Sequence, residues 1–328
     1  MAYSEQILQR ARARLEDARR ERERENEIQR EMAYKRYPRL QEIEKKLRQT
    51  MTKLIANTLR YGEDPKEAVA AIQRENLELQ REKEWILESE DIDYESPICG
   101  ACGGTGYIGA NMCTCLSELC RQEQKKELTS LSGNGRESFD SFRLDYYPDT
   151  HDVTLGGKPR RLMQFNLNYC RQYANRFGPG ADNLLFVGAA GLGKTFLAIC
   201  IARQVADRGY SVVYETAIRV FSDFEEEKFT AHYSESARGL SKKYLECDLL
   251  IIDDLGTEMT TQFTVSALYH IMNTRMMENK ATIITSNLGD NEFEQRYSPQ
   301  IASRITGEYQ VVKFAGEDIR KLKKGVKA

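Results

Sequence analysis

Gly188, Ala189, Ala190, Gly191, Leu192, Gly193, Lys194 and Thr195 match the pattern G-x-x-x-x-G-K-S/T at every position. No other run constrains the fold as tightly. Such a loop works only between a strand and a helix. Its glycines let backbone N–H groups turn inward around an anion, and the helix N-terminus adds its dipole. Both flanks are present: Asn183–Val187 is a short apolar strand, and Phe196–Arg208 reads as a helix. Lys194 can reach the outer phosphates of a nucleoside triphosphate, and Thr195 can place its hydroxyl on Mg2+.

From about Leu162 onward the chain alternates helical stretches with short apolar strands at Leu184–Val187, Ser211–Glu215, Leu249–Asp253, Thr282–Ser286 and Gln310–Phe314. Buried strands separated by helices imply an α/β fold with a parallel sheet covered on both faces. A magnesium site needs a second oxygen ligand at the end of a neighbouring strand. Leu249-Leu250-Ile251-Ile252 buries one strand and delivers Asp253 and Asp254 at its carboxyl end. Asp253 is the expected metal-side ligand, and Asp254 is better placed to orient an attacking water. One of the two acids capping the following helix is the plainer alternative. Asn287 ends the strand Ala281–Asn287 and is expected at the same edge, holding the water or touching the γ-phosphate. Together these strand ends describe a P-loop nucleoside triphosphatase.

The N-terminal third is different. Charge dominates from Gln6 to Arg36, with opposite signs three and four residues apart, which predicts a solvated helix or an electrostatic partner arm. Beyond Pro38, the residues Leu40, Ile43, Leu47, Met51, Leu54, Ile55 and Leu59 mark an amphipathic helix ending near Gly62. A second helix starts with Asp64 as cap, Pro65 and Glu67. Its apolar face runs through Val69, Ile72, Leu79 and Ile86 to Trp85, giving a helical hairpin joined by Arg60–Asp64. The stripes serve internal packing or a partner's helix.

Five of the eight cysteines fall between Cys99 and Cys120. Cys99 and Cys102 form a C-x-x-C knuckle, and Cys113 and Cys115 return after a Gly-containing hairpin. Four thiolates at this spacing make a closed, structural Zn2+ site. The tight C-x-C pair leaves Cys120 as a substitute ligand, and an iron–sulfur cluster is the other option. Cys170, Cys200 and Cys247 have apolar neighbours and read as core thiols. After Cys120, Arg121–Thr129 reads as helix and Leu131–Gly135 as loop. Phe139, Phe142, Tyr146 and Tyr147 then read as packing anchors of a linker.

Overall charge excludes little: 48 Lys and Arg against 50 Asp and Glu give a net charge of −2. No run of 18 apolar residues exists, so no transmembrane helix and no membrane partner is expected. The first residues lack the form of a signal peptide, which points to a cytoplasmic protein. His151, His232 and His270 form no evident nucleophile–base arrangement. The expected organisation is a helical partner-binding region at 1–95, a zinc module at 96–120, a linker at 121–160 and an ATPase domain at 161–328.

The order of strand, P-loop, Asp253-Asp254, Thr285-Ser286-Asn287-Leu288 and Ile301-Ala302-Ser303-Arg304-Ile305 resembles the AAA+ ATPases of bacterial replicative-helicase loaders of the DnaC/DnaI type. The IstB transposition ATPases share this core, so the resemblance spans roughly Phe139 to Arg320. It implies ATP as ligand and Arg304 as an arginine finger completing the ATP site of an adjacent subunit, with self-association through that site. Arg296 is the rival finger. Gly316-Glu317-Asp318-Ile319-Arg320 resembles the family's closing motif and suggests Arg320 as a sensor arginine in cis. A cysteine module ahead of the ATPase is similar to the loader arrangement and unlike most IstB-type chains. By resemblance the function is delivery of a hexameric replicative DNA helicase onto single-stranded DNA, with remodelling of double-stranded DNA for transposition as the alternative. Arg219, Lys228, Tyr233, Arg238, Lys242 and Lys243, and the basic tail Arg320–Lys327, are the DNA-contact candidates; a solvated helix accounts for the same residues.

Overall fold

The computed structural model describes residues 3–58, 66–131, 137–230 and 239–325. The chain divides into two compact units, Arg12–Leu116, and Met1–Ala11 together with Ser117–Ala328.

Helix α1 (Glu5–Arg36) is 32 residues long and belongs to the smaller unit from Arg12 onward. Pairs such as Arg19–Glu23 at 2.8 Å support it along its charged length. It joins a core only where apolar side chains occur, as at Ala33. That residue packs with Leu40 and Ile43 of α2 (Pro38–Thr58) and with Leu79 and Ile86 of α3 (Lys66–Ser89). Glu44 is tied into this hairpin, accepting hydrogen bonds from Tyr34 (2.5 Å) and Tyr94 (2.8 Å) with Lys83 at 3.2 Å. Trp85 corrects the expected apolar face, because it is 69% exposed whereas Ile86 is buried. On a 3.6-residue period Leu79 and Ile86 share a stripe, and the residue before Ile86 points about 100° away. Leu59, Arg60–Asp64, Pro65 and the side chains of Met51, Leu54, Ile55 and Glu67 lie outside the described residues.

A short hairpin of β1 (Tyr107–Ile108) and β2 (Asn111–Met112) follows, antiparallel with Tyr107 opposite Met112. Helix α4 (Thr114–Leu131) starts directly after it, earlier than the expected Arg121. The loop residues 132–136 lie outside the described ones.

The larger unit continues with α5 (Pro159–Arg176), β3 (Asn183–Val187), α6 (Lys194–Asp207), β4 (Val212–Thr216), α7 (Ala217–Thr230), α8 (Lys242–Glu246) and β5 (Leu249–Leu255). It ends with α9 (Gln262–Met277), β6 (Ala281–Ser286), α10 (Asp290–Arg296), α11 (Pro299–Glu308), β7 (Tyr309–Lys313) and α12 (Ile319–Gly325). The five long strands are all parallel, in the order β4-β5-β6-β3-β7. Leu249–Ile252 are completely buried, each contributing about 1.5–3 kcal/mol of burial. Separate apolar clusters cover the two faces. The strand carrying Asp253 and Asp254 is not the neighbour of the P-loop strand, as the sequence reading had it: β6 lies between them. Val187 pairs with Ser286, and Thr216 with Asp253, so the carboxyl ends of four strands meet at one edge. On the β6 side the register shifts between Ile252 and Leu255, so neither aspartate has a partner there.

Candidate nucleotide site

The loop after β3 turns through Gly191 and Gly193, with φ of 79° and 91°. Both glycines are needed for space as well as conformation. A Cβ on Gly193 would lie 2.9 Å from the Tyr147 hydroxyl, and one on Gly191 would collide with the Asp318 carboxylate. The Tyr147 hydroxyl donates to the Leu192 carbonyl at 2.9 Å, and the Ile319 N–H donates to the Gly191 carbonyl at 3.1 Å. The phosphate loop is thus held from one side by the aromatic linker and from the other by the segment entering α12. Phe142 stacks on Tyr147 at 5.7 Å and packs on Phe196 of α6. These linker aromatics do anchor packing, but Phe142, Tyr146 and Tyr147 also wall the cavity beside the loop, a role the sequence reading missed.

That cavity, about 560 Å³ in volume, is lined by Ala190–Thr195 together with Asp254, Asn287 and Arg320. Lys194 closes α6 onto the loop, its Nζ donating to the carbonyls of Gly188 (2.7 Å) and Ala189 (2.8 Å). Burial lowers the pKa of this ammonium, against the attraction of Asp254 and Asp253. An incoming phosphate would replace neutral acceptors with anionic ones, a stronger partner for the same donor.

Thr195 Oγ1 donates to both carboxylate oxygens of Asp253, at 3.0 and 3.1 Å. Asp253 is only 4% exposed. It also accepts from Tyr214 of β4 (2.6 Å) and from Thr285 of β6 (2.6 Å), two contacts that no local sequence pattern announces. A hydroxyl and a buried carboxylate side by side at the phosphate loop are the oxygen pair that Mg2+ takes beside a nucleotide. Asp254 points the other way. Its backbone sits at φ 55°, a conformation Asp tolerates, and its side chain faces the cavity. Burial and the neighbouring Asp253 raise its pKa, while Lys194 and Arg320 pull it down. Asp253, Asp254, Asn287, Lys194, Thr195 and Arg320 are therefore brought together.

Arg304 is not with them. It lies on α11, with its guanidinium 4.9 Å from the Tyr269 ring centre and donating to the Tyr269 hydroxyl at 3.1 Å. Arg296 holds α10 to the 258–260 segment through Thr260 Oγ1 (2.9 Å) and the Glu258 carbonyl (2.6 Å). Among the DNA-contact candidates, Arg219 and Lys243 are tied to the buried Asp223 carboxylate at 3.0 and 2.9 Å. Lys242 pairs with Glu246. Lys228 lies against the rings of Phe229 and Phe263. Tyr233, Arg238, His232, residues 326–328 and the side chain of Lys324 lie outside the described residues.

In the smaller unit, the sulfurs of Cys99, Cys102, Cys113 and Cys115 lie within 4.8 Å of one another. The β1–β2 hairpin returns Cys113, whose N–H bonds the Gly106 carbonyl at 2.8 Å, and the first turn of α4 supplies Cys115. Burial opposes ionisation of Cys102, but hydrogen bonds from the Gly106 N–H and the Cys115 thiol bring its pKa down to about 6. Cys120, the substitute ligand considered above, is fully buried further along α4 and is not in this group. A four-sulfur cluster of this size fits a tetrahedral soft metal such as Zn2+. Cys170, Cys200 and Cys247 are buried in the larger unit, as expected of core thiols.

Residues 172–327 match the family model of the IstB-like ATP binding protein. The match covers just under half of the chain and marks an ATP-binding region. Among curated relatives, the chromosomal replication initiator protein DnaA of Aliarcobacter butzleri is 26% identical over 169 residues, 52% of this chain and 34% of that protein. A putative insertion sequence ATP-binding protein of Sinorhizobium fredii is 27% identical over 145 residues, 43% of this chain and 57% of the relative. The replicative helicase loader DnaC of Buchnera aphidicola is 22% identical over 210 residues, 63% of this chain and 81% of the loader. The chain spans about half the length, or less, of the first curated relatives it matches. The phosphate loop, the parallel sheet and the match to an ATP-binding family make this region a P-loop ATPase domain. No helix among the described residues is long and apolar enough to cross a membrane.

Proposed function

We propose that this protein is an ATP-dependent loader that binds a hexameric replicative DNA helicase and delivers it onto single-stranded DNA. The observation carrying this reading is the similarity to a replicative helicase loader over 81% of that loader's length, well beyond a bare phosphate loop. ATP sits on Lys194 and the N-terminus of α6, with Mg2+ between Thr195 and Asp253 and the attacking water oriented by Asp254 and Asn287. Arg320 steadies the phosphates in cis. Arg304, outside the cavity of its own chain, is available to a neighbouring subunit's nucleotide, so turnover depends on self-association. The helical unit grips the helicase, and Zn2+ on the four cysteines fixes the hairpin beside it.

Single-stranded DNA is best accommodated at Lys228, Phe229 and Phe263. Phe229 is 61% exposed at the end of α7, and a cation beside an open aromatic ring suits a stacked base and its phosphate. Arg219 and Lys243 are less suited, since Asp223 already compensates them.

The test is a loading assay with the full-length chain, ATP, Mg2+ and the source organism's helicase on circular single-stranded DNA coated with single-strand-binding protein. The reading predicts that unwinding starts only when the chain and ATP are both present. Its rival, an IstB-like ATPase that remodels duplex DNA for transposition, is supported by the family model and the insertion-sequence relative. It predicts no stimulation of the helicase, and ATP-dependent coating of double-stranded DNA.

A further inference from the structure

We infer that Thr285 is a positioning residue whose single hydroxyl sets both acids of the nucleotide site. Thr285 is completely buried in β6, opposite Phe186 of the P-loop strand. Its hydroxyl donates to Asp253 Oδ1 at 2.6 Å and accepts the Asp254 N–H at 2.9 Å. The first bond fixes the rotation of the Asp253 carboxylate toward Thr195. The second holds the Asp254 backbone in its left-handed turn, which aims that side chain into the cavity. Tyr214, from β4 on the other side of the acid strand, completes the grip by donating to Asp253 Oδ2 at 2.6 Å.

The strand order gives this arrangement its logic. Because β6 lies between β3 and β5, the strand that leads through the phosphate loop to Thr195 does not touch the strand carrying Asp253. Thr285 stands on the strand between them, so the spacing of the pair is set through β6. A buried carboxylate facing three hydroxyl donors is compensated for the loss of water. Were Mg2+ bound, it would take a lone pair of Thr195 Oγ1, and Thr285 and Tyr214 would go on holding the Asp253 carboxylate from the other strands. Removing the Thr285 hydroxyl would free Asp253 to rotate and leave the Asp254 N–H without its acceptor.

The inference rests on the ATPase reading, and its test has an arm that does not need turnover. Thr285→Val, Thr285→Ser and the unaltered full-length chain are compared for kcat, KM for ATP and the Mg2+ concentration at half-maximal rate. Affinity for a non-hydrolysable ATP analogue is measured with Mg2+ and with EDTA. Thr285→Val is expected to lower kcat and to weaken the Mg2+ response by about 10- to 100-fold, with affinity in EDTA unchanged and Thr285→Ser restoring both. Equal loss of affinity in EDTA and in Mg2+ would mean a purely structural role and overturn the inference. So would a Val variant with a normal Mg2+ response, or failure of Ser to rescue. If the unaltered chain shows no turnover, the ATPase reading fails by itself. The Mg2+-dependent gain in analogue affinity, lost in Val and kept in Ser, then still decides the role of Thr285.

Discussion

Thr195 Oγ1 lies within 3.1 Å of both carboxylate oxygens of Asp253, although the two residues are 58 positions apart, one in the first turn of α6 and the other on a strand that does not pair with the P-loop strand. Lys194, the residue before Thr195, has its ammonium on the carbonyls of Gly188 and Ala189. Lys194→Ala is expected to weaken ATP binding by about 10- to 100-fold, the loss of one or more charge-assisted hydrogen bonds. Asp253→Asn should instead spare Mg2+-free nucleotide binding and abolish its strengthening by Mg2+. Titration calorimetry with and without EDTA separates the two.

A Cβ on Gly191 would collide with the Asp318 carboxylate, and the residue is held at positive φ. Gly191→Ala therefore meets two separate penalties, a steric one and a backbone one of about 1–2 kcal/mol. Adding Asp318→Ala should relieve the first and leave the second. In urea unfolding the double variant is expected to lie between Gly191→Ala and the unaltered chain. If it is no more stable than the single variant, the segment entering α12 does not rest on the phosphate loop.

The Asp254 carboxyl is raised above its ordinary value by burial and by Asp253. A raised folded-state pKa means that the native chain holds this proton more tightly than the unfolded chain. Stability associated with the group is complete below the ordinary aspartate range and is lost as pH rises through the raised value. Asp254→Asn, which keeps a side chain tolerant of positive φ, removes that loss. The variant should melt higher than the unaltered chain at pH 7, the gap closing as pH falls toward the ordinary aspartate value. Its ATP turnover should fall by about 10²-fold or more, the contribution of a residue positioned for proton or water handling.

The four converged sulfurs predict about one Zn2+ per chain by elemental analysis. Cys102→Ser should lose the metal and melt the smaller unit at lower temperature, while affinity for ATP stays unchanged because that site is built wholly in the other unit. Iron in the purified chain would contradict the zinc assignment.

Arg304→Ala is expected to leave ATP affinity intact and to cut turnover by about 10³-fold, as for an arginine acting across subunits. Mixing it with Lys194→Ala should restore part of the activity, since each variant supplies what the other lacks. No recovery on mixing would place Arg304 outside the reaction.

The phosphate loop, the acid strand and the cysteine pairs were legible because each is a local pattern whose chemistry depends on spacing along the chain. Residues that act across the sheet were not. Tyr214 and Thr285 reach Asp253 only through the register of β4 and β6 against β5, which no short window contains. A weak signal was present: each is a hydroxyl residue inside a strand whose other buried positions are mostly apolar. The placement of β6 beside the P-loop strand was equally hidden, because short apolar strands carry no label for their neighbours. Trp85 misled for a simpler reason: it adjoins Ile86 in sequence, and one residue on a helix is a large change of direction. The cavity role of Phe142 and Tyr147 was masked because an aromatic that packs and an aromatic that walls a ligand site look alike in sequence.

The central claim, a helicase loader, is tested most directly by direct association. The full-length chain is mixed with the purified replicative helicase of the source organism, with ATP and Mg2+, and the mixture is sized by light scattering. A stable complex larger than the helicase hexamer, formed by the unaltered chain, is the predicted result. A chain that leaves the helicase free and instead binds duplex DNA in an ATP-dependent manner would contradict it.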